Sequence, residues 1–290
     1  MVPGARLCAA SHMVANMDFT TGAALVGLGV AVGLFGTLIG AGGGFILVPI
    51  LLLTQPTWSA DQVTAVSLAV VFCNALSGTI AYARMKRVDY RSGLAFAAAT
   101  VPTAILGAYT TNFLPRKVFD SIFGTLLLVA CGYLAWRPEP SNKPEGPIPP
   151  KHTDRVLIDA EGKEHKYSFD MRIGVGLSGF VGYLSSLLGI GGGIVHVPAL
   201  VHLLNFPVHI ATATSHFILA ITALAGTCVH IENGSLSGTW TWVLCLAAGV
   251  IVGAQFGAKL SKRLHGAMIV RSLAIALGIV GIRVLVSAIK

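Results

Sequence analysis

The chain has 290 residues, of which 54% are apolar and only 11% charged, and its mean hydropathy is +0.76. A soluble globular domain carries roughly 25% charged residues, so the composition excludes one and describes a polytopic membrane protein. The net charge of +8 reads as an excess of basic residues in cytoplasmic loops, because no basic patch with interleaved aromatics points to nucleic acid.

In chain order, residues 1–17 are set apart as an N-terminal extension. MVPGARLCAASHM lacks the charged start and apolar core of a signal peptide; His12-Met13 reads as a cloning scar, with the native start at Met13 or Met17. A bilayer crossing takes about 20 apolar residues. Single crossings are predicted at 60–83, 92–112, 116–136, 208–231, 239–258 and 267–288. Segments 19–53 and 171–204 are too long for one crossing. About 35 residues at ~1.5 Å each would reach about 52 Å, against a hydrocarbon core of ~30 Å. Each is predicted to be two helical pieces meeting at a triple glycine, Gly42-Gly43-Gly44 in LIGAGGGFILVP and Gly191-Gly192-Gly193 in LLGIGGGIVHVP. A helix interior avoids such a run, since each glycine costs about 1 kcal/mol relative to alanine.

The two motifs belong to a longer repeat. Ala65, Ser67, Ala75, Leu76, Gly78 and Thr79 recur 148 residues on as Ala213, Ser215, Ala223, Leu224, Gly226 and Thr227, and Gly107-Ala108 matches Gly253-Ala254. The expected organisation is therefore all-α: a repeat at 18–136, a charged cytoplasmic linker at 137–170 and a second repeat at 171–290. Each repeat comprises a Gly-broken helical hairpin and three transmembrane helices. Arg84, Lys86, Arg87 and Arg91 follow the second segment of the first repeat, where the second repeat has only Glu232. Lys259, Lys262 and Arg263 contrast more weakly with Arg116 and Lys117. If basic loops face the cytoplasm, the repeats are inverted and the termini periplasmic; a parallel repeat is the alternative.

Broken helices at matching positions of two repeats point to a transporter binding site. A helix starting inside the membrane aims its free amides and positive dipole end at the break, which suits an anion. Gly42, Gly43, Gly44, Gly191, Gly192 and Gly193 are thus candidate binding residues. The second segments add hydroxyls and an amide: Ser67, Asn74, Ser77 and Thr79 in one repeat, and Thr212, Thr214, Ser215, Thr222 and Thr227 in the other. Ser67 and Ser215 stand out because both repeats carry them, and Ser67 and Asn74 share a helical face. Single hydroxyls more often bond their own backbone or a neighbouring helix.

His209, His216 and His230 form a stripe along one helix. His209 and His230 fall near span ends, where solvation explains them. His216 lies beside Ser215 and His196 follows the second triple glycine; both are candidates for substrate contact or proton coupling. No Asp or Glu falls deep in a span, since Asp61, Asp120 and Glu232 are all near ends, and this favours an anion over a cation. Arg271 and Arg283 lie in the last segment, Arg283 snorkelling. The bland reading holds for Gly249, Gly253 and Gly257, a packing stripe, and for Cys73, Cys131, Cys228 and Cys245, small packing residues. Gly174, Gly176 and Gly179 match GxGxxG without a preceding strand. GxxxxGK[ST] is absent, so the chain has no ATPase of its own. Neither a cofactor nor a metal is expected.

GTLIGAGGGFILVP, GIGGGIVHVP and the segments AVSLAVVFCNALSGTIAY and ATSHFILAITALAGTCVH resemble the sulfite exporter TauE/SafE-like family of membrane transporters, with the likeness covering 19–288. The resemblance implies ATP-independent transport of small sulfur-containing anions such as sulfite, sulfonates or organosulfonates across the inner membrane. The expected partners are that anion, the lipid bilayer and a second copy of the chain in a homodimer. A passive anion channel, a metal-ion carrier using His196, His202 and His216, and a membrane enzyme are the alternatives.

Overall fold

The computed structural model describes residues 18–136, 153–261, 274–275 and 278–286. The first overlong segment is α1 (Phe19–Ile39) followed by α2 (Gly44–Thr54), and the second is α6 (Met171–Leu188) followed by α7 (Gly193–His202). Between and after them run α3 (Ala60–Arg84), α4 (Tyr90–Thr111), α5 (Arg116–Trp136), α8 (Val208–Glu232) and α9 (Trp240–Ser261). Six of these (α1, α3, α4, α6, α8 and α9) are long and apolar enough to cross a membrane. Of the predicted last crossing only 274–275 and 278–286 are described, both helical, with Arg283 exposed; Arg271 lies outside the described residues.

Local sequence explains the boundaries. Ser59 accepts from the Gln62 amide while the Gln62 side chain accepts from the Ser59 amide, a reciprocal cap that starts α3. Asp89 caps α4 through the Ser92 amide, so that helix begins two residues before the predicted 92.

α1 packs along α9, α6 along α4, and α3 along α8 at the centre. Small residues set the closeness. Alanine Cβ atoms at Gly249, Gly253 and Gly257 would run into the backbone of Val26, Val30 and Leu34, and one at Gly29 into Leu246. Gly107 and Gly182 play the same part between α4 and α6, against Tyr183 and Thr100. The glycine stripe on α9 is thus packing, as expected. Cys73, Cys131 and Cys245 pack half-buried against the main core, whereas Cys228 is exposed and fills no gap.

The expectation of an all-α chain needs correction in the linker. β1 (Thr153–Ile158) and β2 (Glu164–Phe169) pair antiparallel, Thr153 opposite Phe169 and Ile158 opposite Glu164. The turn Asp159–Lys163 has Gly162 at φ 80°, and the Asp159 amide donates to the Lys163 carbonyl (3.1 Å). Long-range pairs dock the hairpin on the α3–α4 loop: Arg87 reaches Asp159, the Ala160 amide donates to the Met85 carbonyl (3.0 Å), and the Tyr167 hydroxyl donates to Asp89 (2.9 Å). Tyr167 and Phe169 bury against Phe96 and Phe206. The charges that mark this stretch as a solvated linker are therefore, in part, docking contacts.

Candidate functional site

Both breaks are real, and each is wider than its triple glycine. α1 ends in Gly40 (φ 85°) and α6 in Gly189 (φ 69°), left-handed caps that stop a helix where any side chain would be strained. Gly42 and Gly43, like Gly191 and Gly192, also have φ between 73° and 83°. Gly44 and Gly193 are instead the first residues of α2 and α7. Gly40 and Gly189 were missed as parts of the breaks, although a glycine just beyond an apolar run is the ordinary sign of a helix end.

The two breaks touch. A Cβ on Gly44 would lie 2.7 Å from the carbonyl oxygens of both Gly189 and Ile190, and one on Gly193 would strike Gly40 and Ala41. α2 thus begins against the 189–193 break and α7 against the 40–44 break. Between the breaks lie the side chains of Val71 and Leu219, which face both Gly42 and Gly191.

The hydroxyls singled out by the repeat are struts across this junction. Ser67 Oγ donates to the Gly189 carbonyl (2.6 Å), and Ser215 Oγ donates to that of Gly40 (3.3 Å), so the α3 serine holds the end of α6 and the α8 serine that of α1. Asn74 serves the first break: Nδ2 donates to the Gly42 carbonyl (2.9 Å) while Oδ1 accepts from Thr37 Oγ1 (3.0 Å). His216 meets the same network, with Nε2 3.3 Å from Thr37 Oγ1 and its ring edge-on to Tyr82, whose hydroxyl donates to the Thr37 carbonyl (2.8 Å). His196 sits apart, behind the second break, with Nε2 3.0 Å from Ser178 Oγ. Ser67, Asn74, Ser215 and His216 are fully buried.

Two expectations at the span ends are corrected. His230 is not solvated: it is fully buried with Nδ1 2.9 Å from Asp61 Oδ1. Arg116 is not simply a loop charge, since its guanidinium donates to the carbonyls of Leu52, in the last turn of α2, and Trp58, beyond its end, and pairs with Asp120. Among the described residues no three His, Cys, Asp or Glu side chains converge as a metal site.

Buried broken helices clamped at the centre of a helical bundle define a membrane transporter architecture. The chain belongs to the sulfite exporter TauE/SafE family, whose model matches residues 25–284. It is 33% identical over 273 residues to YunE, a probable membrane transporter protein of Bacillus subtilis (strain 168), covering 91% of this chain and 97% of that one. MJ0441, a probable membrane transporter protein of Methanocaldococcus jannaschii, is 24% identical over 270 residues, covering 89% and 93% respectively. A probable membrane transporter protein of Xylella fastidiosa (Temecula1) is 25% identical over 239 residues, covering 82% and 84%. No solved structure matches. The protein is a multi-pass membrane transporter, not an enzyme.

Proposed function

We propose that the chain is a secondary transporter of small sulfur-containing anions, sulfite or a sulfonate, working by alternating access about the junction of the two breaks. The observation that carries this reading is the mutual packing of Gly44 on Gly189 and of Gly193 on Gly40. It brings the amide ends of α2 and α7 to one buried place, where an anion gains from both dipoles. The absence of carboxylates from the middle of the described spans supports an anion rather than a cation.

Alternating access needs two bodies that exchange roles. The exchange-like pairing, α1 on α9 and α6 on α4 with serine struts in both directions, supports two repeats at 18–136 and 171–290, and the basic loop after α3 favours their inversion. In that arrangement the linker with its docked hairpin is cytoplasmic, the termini are periplasmic, and Ser67 and Ser215 release their carbonyls as the halves rock. His216, bonded into the Thr37–Asn74 network, is the better placed of the two histidines to pass a proton with the anion; His196 is the second candidate.

The test is uptake of labelled sulfite and of labelled taurine into proteoliposomes, with and without a pH gradient. Saturable uptake with a slow turnover is expected. Flux too fast for a carrier would make the protein a channel, and no flux of either anion would overturn the reading. Rates indifferent to the gradient would remove the proton coupling alone.

A further inference from the structure

The two breaks are not equivalent, and the difference starts at one residue. Aligning the motifs places Ser185 where the first repeat has Gly36. At the first break the chain folds back onto Gly36. The amides of Gly40, Ala41 and Gly42 all donate to its carbonyl (2.9–3.1 Å), and a Cβ there would collide with Gly43. Asn74 Nδ2 donates to the Gly42 carbonyl and is itself held by Thr37. Three amides and one carbonyl of this break are thus paired within the protein.

The second break cannot close in that way, because Ser185 carries a side chain. Its Cβ and Oγ lie 3.0 Å from where a Cβ on Gly192 would be. Among the described residues the amides of Gly189, Ile190 and Gly191 make no counterpart of the three bonds to Gly36. Asn74 is replaced by Thr222, whose hydroxyl goes to the Ile218 carbonyl (2.9 Å) and to Thr100 (2.8 Å) rather than to the break. What remains is a cavity of about 10 Å³ lined by Ser185, Gly191, Gly192, His196, Leu219 and Thr222 among others. That is close to the space one water or one oxyanion oxygen occupies. Ser185 Oγ is 1% exposed at residue level and has no hydrogen-bond partner among the described residues. A buried hydroxyl left unpaired is costly, so its proton calls for an acceptor.

We propose that the transported anion binds at the second break only, one oxygen entering the cavity to accept from Ser185 Oγ and the free amides ahead of α7. The class of ligand follows from the donors: a small oxyanion with a compact terminal oxygen, such as sulfite or a sulfonate headgroup. A cavity of about 10 Å³ has room for roughly one oxygen atom, so the rest of the anion needs the Leu219 side chain, which lies between Gly42 and Gly191, to swing aside. The first break is then a fixed strut against which the second works. This inference rests on the anion-transporter reading and narrows it from a shared site to one half.

The experiment is thermal-shift titration of the purified full chain with sulfite, kept anaerobic, and with methanesulfonate. Ser185→Ala should weaken binding of both about tenfold or more while leaving the ligand-free melting point unchanged or raised, since it removes a buried unpaired hydroxyl. Ser235→Ala removes another buried unpaired hydroxyl, far along the chain beyond α8, and should leave binding unchanged. If S185A binds as the wild type does, the second-break site is wrong and anion transport stands. If the wild type itself responds to neither anion, both readings fall. Should S185A not fold, Ser185→Thr keeps the hydroxyl but adds a methyl to the cavity; it must also weaken binding, and full affinity in S185T overturns the proposal.

Discussion

Replacing Gly44 with alanine and replacing Gly27 with alanine are the same chemical change with opposite expected outcomes. At Gly44 the new Cβ would stand 2.7 Å from two carbonyl oxygens, those of Gly189 and Ile190, both backbone atoms of the facing break. The Gly189 oxygen is also held by Ser67 at 2.6 Å, so it cannot retreat without stretching that bond. Overpacking of this kind costs about 1–3 kcal/mol. Alanine's gain of about 1 kcal/mol applies to a helix interior and is little realised at Gly44, the first residue of α2, so a net loss of about 1–3 kcal/mol remains. Gly27 is exposed on α1 with nothing within 4 Å of a new Cβ, so only the propensity term remains. In detergent, G44A should melt several degrees below the wild type, at about 2–4 °C per kcal/mol for a chain of this size. G27A should melt at or slightly above it. In proteoliposomes G44A should lose most of its transport and G27A none. A G44A protein that melts with the wild type and transports normally would refute the claim that the breaks bear on each other.

The serine struts should differ in strength. Ser67→Ala, losing a 2.6 Å bond, is expected to destabilise by about 1–2 kcal/mol, and Ser215→Ala, losing a 3.3 Å contact, by less; equal melting losses would contradict the geometry. Arg116→Met removes the bonds to the Leu52 and Trp58 carbonyls and should cost about 2 kcal/mol in denaturant titration. Arg116→Lys should not restore it, since an ammonium cannot span both acceptors as the guanidinium fork does. The docked hairpin carries a pH dependence. Burial pushes the Asp159 carboxyl up, but the Lys163 amide, His165 and Arg87 outweigh it and hold it below the usual aspartate range. A depressed carboxylate contributes stability above its unfolded value, near ~3.9, and loses it as pH falls through the lower folded value. Protease cleavage within 153–169 should therefore rise only below about pH 4, and Asp159→Asn should raise it at pH 7; a hairpin equally resistant at pH 7 in both proteins would count against the contact.

The membrane crossings were legible because lipid imposes a one-dimensional rule. A spanning helix must be apolar for about 20 residues with its backbone bonds closed internally, and both conditions are local in sequence. The glycine interruptions violate that rule, and the small-residue stripe at Gly249, Gly253 and Gly257 follows from helical period alone. Ser67 and Ser215 could be named from the repeat, but not their partners. Each binds a carbonyl more than a hundred residues away, and no periodicity encodes which oxygen a hydroxyl will face. The hairpin was overlooked for a similar reason. Its strands alternate only weakly, and their stability comes from Arg87, Asp89, Phe96 and Phe206, which lie elsewhere in the chain. The asymmetry of the breaks was visible as a letter, serine for glycine at 185. It became a cavity only when folding set Gly192 against Ser185, because empty space is a property of packing and not of any one residue.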